Sequence, residues 1–140
     1  MSKSKQTENA KRWTLIDVSG RNIDGSKLEF SNVIISLDSY FFSVQLETYG
    51  SYHIYDGVER RLVYCQDEFQ QIFGFYCGYS KVKKNGKYGV INTKGEIIVP
   101  LIYDDIFNHC GRYDRATIDL VIEGKAVGVF DFRRGIVIPK

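Results

Sequence analysis

The chain has 140 residues and a formal net charge of +2, too small a bias to imply a nucleic-acid or membrane partner by itself. Charged residues make up 26% and hydrophobic ones 44%, which is ordinary for a soluble globular protein and enough for one domain with a sizeable core. No run approaches the roughly 18 apolar residues of a membrane span, and the polar opening MSKSKQTENAKR lacks the apolar stretch of a secretory signal.

Aromatics reach 14%, with 10 Tyr and 9 Phe, a bias that favours β-structure. Only 2 Pro stand against 13 Gly, so the turns depend on glycine. Cys65, Cys77 and Cys110 form an odd set without a CxxC pair, which suits reduced thiols in a cytoplasmic protein better than a disulfide framework.

In chain order, residues 1–10 are expected to be a disordered tail and 11–140 a single domain. The segments LEFSNVIISL (28–37) and YFFSVQLE (40–47) read as strands. In the second, Phe42, Val44 and Leu46 alternate with Ser43, Gln45 and Glu47, so one buried face is expected. Within CQDEFQQIFGFYCGY (65–79), Phe69, Ile72 and Phe73 stand at i, i+3 and i+4, a spacing that predicts a helical turn before Gly74. YDDIFNHCG (103–111) predicts a similar connection, and ATIDLVIEG (116–124) another strand.

KKNGKYGVINTKGEIIVP (83–100) combines lysines and glycines as a phosphate loop would. That loop needs GxxxxGK[ST] or GxGxxG between a strand and a helix, and neither occurs. Asn85-Gly86 instead suits a type I′ hairpin turn between strands 80–84 and 87–92. Asn92 and Gly95 then supply a second turn before a short apolar strand.

The unit recurs. YGVINTKGEIIVP (88–100) aligns without a gap on VGVFDFRRGIVIP (127–139). KRWTLIDVSGRNI (11–23) and a worn copy, GSYHIYDGVERRLV (50–63), extend the series. The apolar positions Trp13, Tyr52, Tyr88 and Val127 keep the same spacing as the turn residues Asp17, Asp56, Asn92 and Asp131. A period of roughly 38 residues signals a repeat array.

NGKYGVINTKGEIIVPLIYDDI (85–106) resembles a WG repeat, also called a KWG repeat. It carries Gly86, Lys87, Tyr88 in place of Trp, Gly89, Val90, Ile91, Asn92 in place of Asp, Gly95, Pro100, Tyr103 and Asp104. The copy at Trp13 has Thr14 where the second Gly belongs, and the last copy has Val127 for Trp. The resemblance implies an all-β, mainly antiparallel array of about four repeats, no shared catalytic residue, and a role in interactions. It also makes Trp13 and Tyr88 expected buried anchors.

Chemistry-bearing residues are sparse. The recurring Asp and Asn lie at turns where an Asx side chain caps the backbone. His53 sits inside an aromatic strand and reads as half-buried. The adjacent His109 and Cys110 lack the paired spacing of a zinc site and would point to opposite faces of a strand. No catalytic residue, cofactor or metal is therefore expected.

Lys81, Lys83 and Lys87 gather on one hairpin beside Tyr79 and Tyr88, and exposed they would suit single-stranded nucleic acid. The balance of 19 basic to 17 acidic residues is far from that of a typical nucleic-acid domain, so this stays the weaker alternative. Tyr and Arg, the types enriched at interface hot spots, point to a non-enzymatic protein-binding module. Tyr40, Tyr49, Tyr55, Tyr76, Tyr79 and Tyr113 fall at strand ends or turns, and Arg60, Arg61, Arg133 and Arg134 offer anchors. An immunity protein or antitoxin blocking a bacterial toxin fits that reading, with a structural scaffold as the alternative.

Overall fold

The computed structural model describes residues 13–14, 29–35, 40–108 and 117–139. Among these every regular element is a β-strand, and the strands form three four-stranded sheets. The first holds β1 (Asn32–Ile34), β2 (Phe41–Gln45), β3 (Tyr52–Asp56) and β4 (Arg61–Val63). The second holds β5 (Gln71–Tyr76), β6 (Tyr79–Lys84), β7 (Lys87–Asn92) and β8 (Ile97–Tyr103). The third holds β9 (Asp105–Asn108), β10 (Thr117–Ile122), β11 (Lys125–Asp131) and β12 (Ile136–Pro139). Each sheet is an antiparallel meander whose strand order follows the chain.

The repeat maps onto this architecture. Tyr52, Tyr88 and Val127 fall on the third strand of successive sheets, and Asp56, Asn92 and Asp131 end those strands. Each turn residue caps the loop that follows. Asp56 Oδ1 accepts the N–H groups of Val58 and Glu59, Asn92 Oδ1 those of Lys94 and Glu96, and Asp131 Oδ1 those of Arg133 and Arg134. At the hairpin between β6 and β7, Asn85 and Gly86 both take positive φ, 52° and 77°, as a type I′ turn demands.

The glycine and proline of the repeat also belong together. A Cβ on Gly89 would lie 2.5 Å from the Val99 carbonyl oxygen, beside Pro100. In the third sheet Gly128 pairs directly with Pro139. Pro has no N–H to give a further neighbour, and Pro100 and Pro139 sit in β8 and β12, the edge strands where proline is tolerated.

The sheets stack through their faces. Ile54, Cys65, Phe69, Ile72, Phe75, Val82 and Ile91 join the first sheet to the second. Val90 and Val99 of the second meet Ile106, Ile118, Leu120, Phe130 and Phe132 of the third. A smaller cluster of Phe30, Val44 and Tyr55 fills the other face of the first sheet.

Several expectations need correction. Residues 71–76 form β5 rather than a helical turn. Gly74 takes φ 131°, and the register with β6 shifts between Ile72 and Phe75. This irregularity lets Ile72 and Phe75, three apart, both be buried. Residues 105–108 likewise form β9. On β2 both Ser43 and Val44 are fully buried, because its two faces meet different clusters. Tyr55 does not reach solvent but packs against Phe30, ring centroids 6.2 Å apart. Trp13 is 53% exposed. Its backbone bridges Phe30, and the buried place goes to the Phe30 ring. Tyr88 is half-buried against the second-to-third cluster. Asp17 and the rest of the first copy beyond Thr14 lie outside the described residues.

The turns after β3 and β11 have matching left-handed positions, Arg60 at φ 58° and Gly135 at φ 67°. An L-residue there carries roughly 1–2 kcal/mol of backbone strain. Arg60→Gly is therefore expected to leave stability unchanged or raise it by about 0.5–1 kcal/mol, since glycine's extra unfolded-state freedom offsets part of the relief. Gly135→Ala is expected to lower it by about 1–3 kcal/mol, because the new Cβ would meet the Tyr79 hydroxyl at 2.3 Å. Urea unfolding with an unchanged m-value checks both.

Candidate functional site

The lysine hairpin is the first candidate, and its cations are engaged inside the fold. Lys81 stands opposite Val90, on the face of the second sheet that meets the third. Its ammonium lies 4.4 Å from the Phe73 ring centroid and 5.8 Å from that of Tyr88, and donates to the Ile106 carbonyl at 3.5 Å. Burial lowers its pKa below the usual lysine value, and Asp105 only partly opposes this. Lys83 lies 5.6 Å from the Tyr88 ring centroid. Lys84 pairs with Asp67 at 3.0 Å.

Lys87 pairs with Asp104, whose second oxygen accepts the Glu123 N–H at 2.7 Å. The Asp104 carboxyl is held below its usual range, first by that N–H and then by Lys87. Solvent screens such an exposed pair, so it adds little stability, but it ties the second sheet to the turn between β10 and β11. The expected exposure thus holds for Lys87, while Lys81 and Lys83 are half-buried. The hairpin stitches the sheets together more than it offers a basic patch.

Tyr79 is half-buried, edge-on to Phe130 with centroids 5.4 Å apart, and its hydroxyl lies against Gly135. The structure therefore brings Tyr79 beside the turn that carries Arg133 and Arg134. Both arginines are exposed, and the Arg134 Nε lies 3.5 Å from an Asp131 oxygen. Tyr113, His109 and Cys110 lie outside the described residues.

The second candidate is the turn after β3. The Gly57 N–H donates to the Tyr40 carbonyl at 2.8 Å, closing the start of β2 onto the turn. A Cβ on Gly57 would lie 2.5 Å from that same oxygen, so the approach is fixed by the backbone. Tyr40 is 70% exposed and Val58 63% exposed, with Arg60 exposed on the same turn and Arg61 exposed at the start of β4. Pattern reading marked the tyrosine and the arginines singly. It missed Val58, an apolar residue in the polar turn Asp-Gly-Val-Glu-Arg, which is the signal available for it.

Other reactive groups are quiet. The His53 Nδ1 accepts the Cys65 N–H at 3.0 Å, and burial lowers its pKa. That half-buried setting is the one expected from the sequence. Burial, with Asp67 adding to it, pushes the Cys65 thiol up to about 11. Among the described residues no three His, Cys, Asp or Glu side chains gather as a metal site would need, and no helix is long and apolar enough to cross a membrane.

The family described as "WG containing repeat" matches residues 68–88 and 88–113, which cover the second sheet and β9. Residues 68–113 thus carry WG repeats. Searches among curated proteins and among solved structures returned no match. The matches fall on the most complete copy of the WG repeat, and the same hairpin recurs at Asp56 and Asp131 in the neighbouring sheets.

Two outcomes follow for these side chains. The folded-state pKa of Lys81 lies below its unfolded value, so between the two the unfolded chain binds more protons and stability rises with pH. Lys81→Met is expected to be at least as stable as the parent at neutral pH, with the difference shrinking as pH climbs toward the usual lysine value. Lys81→Glu should lose on the order of 2 kcal/mol, less than a fully buried unpaired charge would cost. Denaturant unfolding across pH 7–10 measures this. At pH 8 a thiol reagent should label exposed Cys77 far faster than Cys65, whose thiolate is suppressed; peptide mass spectrometry reads the two sites separately.

Proposed function

We propose that this protein is a non-enzymatic binding module that recognises another protein through the turn after β3. One observation carries the reading: Tyr40 and Val58 are strongly exposed around a backbone locked by the Gly57–Tyr40 bond and the Asp56 cap, with Arg60 and Arg61 beside them. Tyr and Arg on a rigid frame lose little entropy on contact and are the types that dominate interface energies. The two arginines favour a partner with an acidic surface. Occlusion of a bacterial toxin, in the manner of an immunity protein, is the narrower form of the proposal, supported by this contact surface alone.

The test is affinity capture from the native host followed by binding kinetics at two salt concentrations. Tyr40→Ala is expected to weaken the captured partner's binding at least tenfold, mainly through dissociation. Arg60→Glu with Arg61→Glu should slow association and weaken its salt dependence. Unchanged rates for both variants would remove the turn from the interface. Capture of nucleic acid alone would overturn the protein-binding reading.

A further inference from the structure

Asn85 and Gly86 form the exposed tip of the hairpin between β6 and β7. An Asn-Gly pair is the dipeptide most open to spontaneous loss of its side-chain amide, because glycine has no Cβ to hinder attack by its own backbone nitrogen. A Cβ on Gly86 would meet nothing within 4 Å, so the tip is sterically open. Asn32 and Asn92 are better held. The Asn32 Nδ2 donates to the Tyr52 hydroxyl at 2.7 Å, and the Asn92 Nδ2 donates to a Glu96 carboxylate oxygen at 2.8 Å. Among the described residues no such bond holds the Asn85 amide.

Gln70 works against this chemistry. The Gly86 N–H, whose proton must leave before its nitrogen can attack, donates to the Gln70 Oε1 at 3.1 Å. The backbone aims that side chain. The Gln70 N–H donates to the Lys83 carbonyl at 2.8 Å, and the preceding Phe69 is fully buried and bridges Tyr52. The Lys84–Asp67 pair at 3.0 Å clamps the same segment to the hairpin. The type I′ turn does not itself need this bond, since the Lys84–Lys87 pairing closes it.

We propose that Asn85-Gly86 is a self-modification site of this chain and that Gln70 holds its rate down. In the reaction, base removes the Gly86 N–H proton and the nitrogen lone pair attacks the Asn85 Cγ. The side-chain nitrogen takes up a proton and leaves as ammonia, which closes a succinimide. Water then opens the ring at either carbonyl, giving aspartate or isoaspartate, so the chain exchanges ammonia for water. Gln70 opposes the first event, because it engages the proton that must leave and keeps the turn closed. Aspartate would add a negative charge between Lys84 and Lys87. Isoaspartate would lengthen the main chain of a two-residue turn, which sets the register of β6 on β7. That register places Val82 and Val90 on opposite buried faces of the central sheet, so the modification would reach the core.

The test is incubation of the full chain in mildly alkaline buffer, with peptide mass spectrometry following amide-to-acid conversion at Asn85 and, as an internal reference, at Asn92. The native chain is expected to convert at Asn85 at least about fivefold more slowly than the same chain unfolded in guanidinium chloride. Gln70→Met keeps the stem and removes the acceptor, and should speed conversion at Asn85 about fivefold, the worth of one hydrogen bond, without moving Asn92. Gln70→Glu keeps an acceptor and should stay as slow as the parent, which a merely structural role for the side chain would not require. A native rate equal to the unfolded one, no acceleration in Gln70→Met, or equal acceleration in Gln70→Glu would each overturn the proposal. The comparison of native with unfolded chain needs no variant and stands even if a substitution disturbs folding. None of these outcomes bears on the turn after β3, so the two readings fail separately.

Discussion

A four-stranded sheet with apolar side chains on both faces cannot stand alone in water, and β5 to β8 make such a sheet. Val82 and Ile91 point toward the first sheet, and Val90 and Val99 toward the third; all four are fully buried. Burying each contributes about 1.5–3 kcal/mol, so losing either neighbouring sheet would forfeit several kcal/mol, a large part of a domain's net stability. The outer sheets have less at stake on their second faces. The first is closed by Phe30, and the third leaves its last row half open.

The polar residues on the stacking faces follow from the same constraint. An alternating strand brings Lys81 to the buried side beside Val90. The fold accommodates it by running the stem along Phe73 and Tyr88 and giving the ammonium the Ile106 carbonyl. Amphipathic lysines serve such seams because the stem packs while the head finds an acceptor. The Asp104 carboxylate does the same from the other side, joining Lys87 to the Glu123 N–H. Charges used in this way are poorly placed for a partner. The contact surface accordingly falls on a turn, where backbone bonds hold Tyr40, Val58, Arg60 and Arg61 outward without committing their side chains to the core.

Local chemistry decided much of this in advance. Strand content, the Asn85-Gly86 hairpin, and the Asx caps at Asp56, Asn92 and Asp131 depend on residues within a few positions of one another, so the sequence determined them by itself. The pairing of repeat glycine with repeat proline belongs here as well, since antiparallel neighbours joined by a short turn have little freedom of register. What only the tertiary structure decided are the properties set by the next sheet. The i, i+3 spacing of Ile72 and Phe75 has the period of a helix, but the bulge at Gly74 gives it to a strand. The burial of both Ser43 and Val44, the half-burial of Lys81 and the exposure of Trp13 likewise depend on which face another sheet covers. A strand's own alternation separates its two faces; it does not say whether one, both or neither will meet a partner, because that partner lies tens of residues away in the chain.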